Sequence, residues 1–263
     1  MALMGGCAGK KKQTDAECLD TAGVVRDVLT PPASLEMLCK KAADQMGRPR
    51  VKICCISSVE EANLAIRYGA DGLGLVSAMP SGPGPIPEDR IASIVAAVPP
   101  LVDTFLLTCR QNGPAIIAQQ KRAHVNTLQL VDSVEPACYR ELRAALPAVR
   151  LVQVIHVTGP EAIEQAVHVA PEVDALLLDS GNPLAPVKEL GGTARIHDWA
   201  VSARIRQAVD IPVFLAGGLR PGNVREAFEQ VRPFGLDLCS GVRSGGRLDE
   251  EKLARFMAEV HSL

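Results

Sequence analysis

The chain has 263 residues, 47% of them hydrophobic and 22% charged, with a formal net charge of -2 and only 3% aromatic side chains. That is enough to bury a full core, as one large barrel or as two modest domains, and it lacks the basic face and stacking rings that nucleic-acid binding uses. The longest nearly apolar stretch, Ile91 to Val102, is interrupted by Pro99 and Pro100 and stopped by Asp103, so it is too short to span a bilayer and no membrane association is expected.

Met1 to Gly9 carries too short an apolar run for a secretory leader, and Ala2 excludes the usual myristoylation signal. The 8 cysteines are scattered along the chain, which suits reduced thiols and a cytoplasmic protein. Their spacing does not make a zinc site, and no metal is expected. Residues 1–50 read as an N-terminal extension whose first dozen residues are disordered. Within it "DAECLDTAGVVRDVL" and "SLEMLCKKAADQM" form two amphipathic helices around "TPPAS", with Ser34 as a helix cap. The extension is expected to pack on the outside or the bottom of the domain that follows, residues 51–263.

From residue 51 onward, short runs rich in Val, Ile and Leu alternate with stretches of helical period. Strands are expected at Val51–Cys54, Gly72–Val76, Thr104–Thr108, Thr127–Leu130, Leu151–Ile155, Ala175–Leu178, Pro212–Ala216 and Leu236–Cys239. Each is followed by a helical segment, among them "SVEEANLAIRYGAD", "PEDRIASIVAAV", "DWAVSARIRQAV" and "DEEKLARFMAEVHSL". Strands that alternate with helices lie parallel and are covered by them. Eight such units make an α/β fold of the (β/α)8 TIM-barrel type, with an open doubly wound sheet as the alternative.

In such a barrel, reactive groups stand at the C-terminal ends of the strands, and phosphate often binds after strands seven and eight. Strand seven runs into "AGGLRPGN" and strand eight into "CSGVRSGG", both taken as glycine turns leading into helix starts. The amides of Gly217, Gly218, Ser240 and Gly241, backed by helix dipoles, are expected to cradle a phosphate. Strand six delivers Asp179, which can act as a proton donor or simply cap its turn. Strand one delivers Cys54, which can be a base or a small buried hydrophobe. A thiol and a carboxyl on one rim, facing a phosphosugar, suggest proton transfer. Cys54 and Cys55 should point to opposite faces of their strand.

Several motifs in order, "VKICCISSVEEANLAIRYGADGLGLV", "LQL", "LLLDS", "GGTARIHDW", "PVFLAGGLRPGNV" and "FGLDLCSGVRSGGRLDEEKLARFM", resemble the phosphoribosylanthranilate isomerase family of tryptophan biosynthesis. The likeness covers residues 51–263. It implies a cofactor-independent Amadori rearrangement of a small phosphorylated sugar substrate by a monomer or homodimer. Cys54 would be the general base, Asp179 the general acid, and Gln129 and Gly192 substrate-binding residues. Cys55 stands where the family usually has Gly and would only pack. The chain departs from the family pattern at Pro83, where an Arg usually reaches the anthranilate carboxylate, and at Val131, Ala194, His197 and Arg243. Arg220 or Arg243 is the expected substitute for the lost cation. A paralogue that binds a phosphorylated ligand without this activity, or another phosphosugar isomerase, epimerase or lyase on the same barrel, are the alternatives.

Overall fold

The computed structural model describes residues 48–263. The two helices expected before that point, and the tail preceding them, lie outside the described residues. Eight parallel strands close into a barrel in chain order: β1 (Arg50–Ile53), β2 (Gly72–Val76), β3 (Asp103–Thr108), β4 (Thr127–Leu130), β5 (Arg150–His156), β6 (Ala175–Asp179), β7 (Val213–Leu215) and β8 (Gly235–Leu238). The helices are α1 (Val59–Arg67), α2 (Glu88–Ala97), α3 (Gly113–Ala123), α4 (Pro136–Ala145), α5 (Glu161–Val169), α6 (Trp199–Ala208), α7 (Val224–Val231) and α8 (Glu250–His261). Every expected strand is present to within one residue at each end.

The helices begin where capping chemistry allows it. The Ser58 side chain accepts the Glu61 N–H at the start of α1, and Asp198 and Asp249 do the same work for α6 and α8. Acidic residues fill the first turns of α1 and α8, where the exposed N–H groups favour negative charge.

Strand alternation separates two buried layers. Val51, Ile53, Leu73, Leu75, Leu106 and Leu128 face the helices and form the larger core. Cys54, Val76, Phe105, Leu107, Val152, Val154, Leu177 and Phe214 face the barrel interior. At the N-terminal end of the barrel, Phe214 packs edge-on against Phe105 and Phe234, with centroids 6.1 and 5.5 Å away. Gly72 and Gly235 leave room for those rings: a Cβ would fall 2.8 Å from Phe105 and 2.4 Å from Phe214. The floor is therefore filled, and open space remains at the C-terminal ends of the strands.

Two features were not read from the sequence. A hairpin of β9 (Arg243–Ser244) and β10 (Arg247–Leu248) intervenes before α8, and a single 3-10 turn, Ser240–Val242, follows β8. The glycine turn of β8 thus does not lead directly into a helix start, and α7 begins at Val224, beyond the Gly217–Gly218 turn. The expected support from helix dipoles gives way to the turn amides themselves.

Candidate active site

The C-terminal mouth of the barrel holds an open cleft of about 710 Å³, its entrance included, at the end where such barrels place their sites. Cys54, Gln129, Asp179, Gly192, Gly217, Gly218 and Ser240 all line it. Seven of the expected residues thus come together from β1, β4, β6, β7, β8 and the β6–α6 loop. Gly241 is the exception. It packs behind Ser240 against the Leu219 carbonyl, where an added Cβ would lie 1.9 Å from the oxygen. Its lack of a side chain lets the β7 and β8 turns approach each other.

Cys54 follows β1 directly, held in line by its N–H, which donates to the Leu238 carbonyl of β8 at 2.7 Å. Beneath it lies an ion pair that the sequence reading did not single out. Lys52 Nζ is 2.8 Å from Asp237 Oδ2, with side-chain exposures of 1% and 7%. Burial works against the Lys52 ammonium, but Asp237 first and then Cys54 outweigh it and hold its pKa above the ordinary lysine value. Gly74 of the neighbouring strand leaves the space they share: a Cβ there would come 2.9 Å from Cys54 Sγ and 3.0 Å from Lys52 Nζ. The second Asp237 oxygen is buried without a partner, so the pair is pinned from one side only. Period-two alternation was the available signal, because Lys52 precedes Cys54 by two on β1 and Asp237 sits on the matching face of β8.

Asp179 closes β6. Its Oδ1 accepts the Ser180 N–H at 2.7 Å, so the carboxylate does cap its own turn. Its Oδ2 faces the Gly191 Cα, where a Cβ would lie 2.6 Å away. The β6–α6 loop passes over the carboxylate and meets the β2–α2 loop above the cleft. Gly192 touches Pro83, Ser81 Oγ donates to the Lys188 carbonyl at 2.6 Å, and Lys188 Nζ pairs with buried Asp132 at 2.5 Å. Pro83, where the family resemblance leads to an arginine, is thus part of a roof.

The two turns expected to receive phosphate lie side by side. Gly217 and Gly218 have φ of 83° and 65°, a region that favours glycine. His197 stands against this turn. A Cβ on Gly217 would meet its Nδ1 at 3.0 Å, its Nε2 lies 2.7 Å from Ser202 Oγ, and Nδ1 is buried without a partner. Burial pushes the imidazole below its ordinary pKa, with Asp179 and Asp198 opposing. Gln129 Oε1 is likewise buried, unpartnered and on the cleft wall.

Three expectations need correction. Cys54 and Cys55 do not point to opposite faces: β1 ends at Ile53 and Cys55 takes φ of 61°, so strand alternation no longer applies and both line the cleft with sulfurs 4.0 Å apart. Nor does Cys55 only pack, since its Sγ lies 2.9 Å from that of Cys239. Arg243 does not supply a cation to the cleft. Its guanidinium turns away to bind Glu61 and the carbonyls of Cys54 and Cys55, at 3.2 and 2.5 Å. Arg220 is exposed and absent from the wall. Among the described residues, no Lys or Arg lines the cleft.

Residues 51–259 match the family described as N-(5'phosphoribosyl)anthranilate (PRA) isomerase. The chain is 33% identical over 210 residues to the N-(5'-phosphoribosyl)anthranilate isomerase of Methanocella arvoryzae, covering 80% of this chain and 96% of that one. It is also similar to the crystal structure of the phosphoribosyl anthranilate isomerase of Thermus thermophilus, with a TM-score of 0.69 and 28% identity over 81% of this chain and 98% of that one. A further isomerase structure, solved in complex with reduced 1-(o-carboxyphenylamino)-1-deoxyribulose 5-phosphate, matches with a TM-score of 0.67 and 26% identity, covering 82% and 100% of the two chains.

Proposed function

The chain belongs to the N-(5'-phosphoribosyl)anthranilate isomerase family, and from that premise we propose that Cys54 and Asp179 carry out its reaction as general base and general acid. The reaction is the isomerase step of tryptophan biosynthesis, an Amadori rearrangement of N-(5'-phosphoribosyl)anthranilate to 1-(2-carboxyphenylamino)-1-deoxyribulose 5-phosphate. The observation that carries the residue assignment is the placement of Cys54 and Asp179 on one cleft. Their strands, β1 and β6, are separated only by β7 and β8, whose turns supply the phosphate amides. A sugar anchored there by its phosphate extends between acid and base.

Asp179, protonated, gives its proton to the furanose ring oxygen as the C1–O bond breaks, which leaves a Schiff base. Cys54, as thiolate, takes the proton from C2, and the resulting enolamine relaxes to the ketone. Each transfer needs only a positioned side chain, and positioning comes from the phosphate at a distance from the reacting carbons. Gly217, Gly218 and Ser240 hold the phosphate through main-chain N–H groups, with Gly241 allowing the two turns to close together. Gln129 and Gly192 contact the remainder of the substrate. The aryl group lies toward Met79, Leu107 and Val131, on a wall without a cation.

Complementation tests this reading. Expression in a tryptophan auxotroph that lacks the isomerase should restore growth, and Cys54→Ala and Asp179→Asn should each abolish it. Growth sustained by either variant would remove that residue from the mechanism.

A further inference from the structure

A third thiol stands at the rim beside Cys54 and Cys55. Cys239 follows the last residue of β8, and Cys55 lies two residues past the end of β1. The strands that carry them are locked in parallel register, Ile53 opposite Leu238. The two sulfurs are 2.9 Å apart, against about 2.05 Å in a disulfide. Both side chains line the cleft, so a small solute that enters it reaches them. Among the described residues no group of Cys, His, Asp and Glu is arranged to hold a metal ion, so a shared cation does not account for the thiols meeting.

We propose that Cys55 and Cys239 form an oxidisable dithiol which a hydroperoxide converts to a disulfide between the β1 and β8 rims, switching off the site. The two thiols are unequal. Cys55, as hydrogen-bond partner, and Arg243 hold the Cys239 thiol below its ordinary pKa against the effect of burial. Hydrogen bonding to Cys239 and Cys54, and burial, push Cys55 up. Cys239 is therefore the attacking sulfur. Its thiolate displaces hydroxide from a peroxide oxygen as the O–O bond breaks, and becomes a sulfenic acid. Cys55 then gives up its proton and attacks that sulfur, the S–O bond breaks, and the oxygen leaves as water. Two thiols and one hydrogen peroxide thus yield one disulfide and two waters, and an added dithiol reductant reverses the change.

Bond formation depends only on the thiol geometry, whereas its effect on turnover rests on the isomerase reading. Cys239 immediately precedes Ser240 of the phosphate turn, and Cys55 immediately follows Cys54. Drawing the sulfurs together shifts both neighbours, and a displacement of about 1 Å at such groups costs on the order of 10²-fold in rate.

The test uses the reduced full-length protein, titrated with hydrogen peroxide, alkylated and mapped by peptide mass spectrometry, with isomerase activity followed in parallel. The expected result is a Cys55–Cys239 cross-link whose appearance tracks a loss of activity on the order of 10²-fold and which dithiothreitol reverses. Cys239→Ser and Cys55→Gly, each normalised to its own untreated activity, should resist the same peroxide doses. No cross-link in the wild-type chain, oxidation that collects on Cys54 instead, or equal peroxide sensitivity in Cys239→Ser would overturn the proposal. A cross-link that leaves activity unchanged would overturn the switch. Absence of turnover in the reduced protein would count against the isomerase reading alone, because the mapping still scores the dithiol.

Discussion

The two ends of the cleft are built by different means. The end proposed to take phosphate is made of main chain, the turns of β7 and β8, and is anchored from below by a buried ion pair, Lys52–Asp237. The roof end is made of two loops that hold each other, through Ser81 with the Lys188 carbonyl and Pro83 with Gly192, while Lys188, its side chain 43% exposed, ties them to Asp132 after β4. In the proposed reading the first arrangement would hold a dianion with amides that cannot be mutated away. The second relies on side chains and loop contacts, with Pro83 and Ala194 on its wall.

The sharpest contrast should come from the two lysines. Lys52→Met leaves Asp237 buried without its partner, and urea unfolding should show a loss of about 3–5 kcal/mol. At the roof pair only the lysine is half-exposed, but Asp132 keeps the Ser133 N–H as a partner, so Lys188→Met should cost less, about 1–2 kcal/mol by the same measurement. Equal losses would erase the distinction between the two ends.

Alanine at a glycine of each end comes next. Gly218→Ala forces a Cβ at φ of 65° to within 2.8 Å of Ile196 and 3.0 Å of the Arg195 main chain. KM for the phosphorylated substrate should rise about tenfold, the equivalent of 1.4 kcal/mol, with kcat changed less. Gly192→Ala drives a Cβ to 2.6 Å from Pro83 and should part the roof loops, which limited proteolysis would detect as cleavage within 81–84 or 188–194. Inorganic phosphate should bind that variant as it binds the wild type, and a loss of phosphate binding there would break the separation of roles.

The smallest effect concerns His197, at the phosphate end. Burial lowers its folded pKa, so the unfolded chain binds the proton more readily. The contribution to stability is complete above the unfolded value of about 6.5 and is lost as pH falls through the depressed folded value. Replacing His197 with Phe should flatten the acid limb of a plot of urea midpoint against pH. An unchanged limb would show that this imidazole is not what titrates.

The barrel was legible because closure demands regular alternation, and eight short apolar runs such as "ALLLD" alternate with helical segments. Cys54 and Asp179 were legible by position, as the residues at the mouth ends of strands one and six. The two turns expected to take phosphate were visible as glycine-bearing junctions after strands seven and eight. Lys52–Asp237 was not singled out, although two-residue periodicity places both inside, because pairing across the β1–β8 seam joins residues 185 apart in sequence. The thiol contact was hidden for a local reason. Cys55 leaves the strand at a left-handed φ, a conformation uncommon for a residue with a Cβ, and the Gly usual at this position in the family was the clue. Arg243 and Arg220 were plausible cations by composition alone, and only the fold shows that one clamps the Cys54 and Cys55 carbonyls and the other faces solvent.

The most direct measurement is turnover of N-(5'-phosphoribosyl)anthranilate by the purified wild type, Cys54→Ala and Asp179→Asn, set beside the affinity of each for reduced 1-(o-carboxyphenylamino)-1-deoxyribulose 5-phosphate. The wild type should turn over, and each variant should lose on the order of 10²–10⁴-fold in kcat while binding the analogue within a few-fold of wild type. Either variant turning over at the wild-type rate, with the analogue still bound, would contradict the assignment of acid and base.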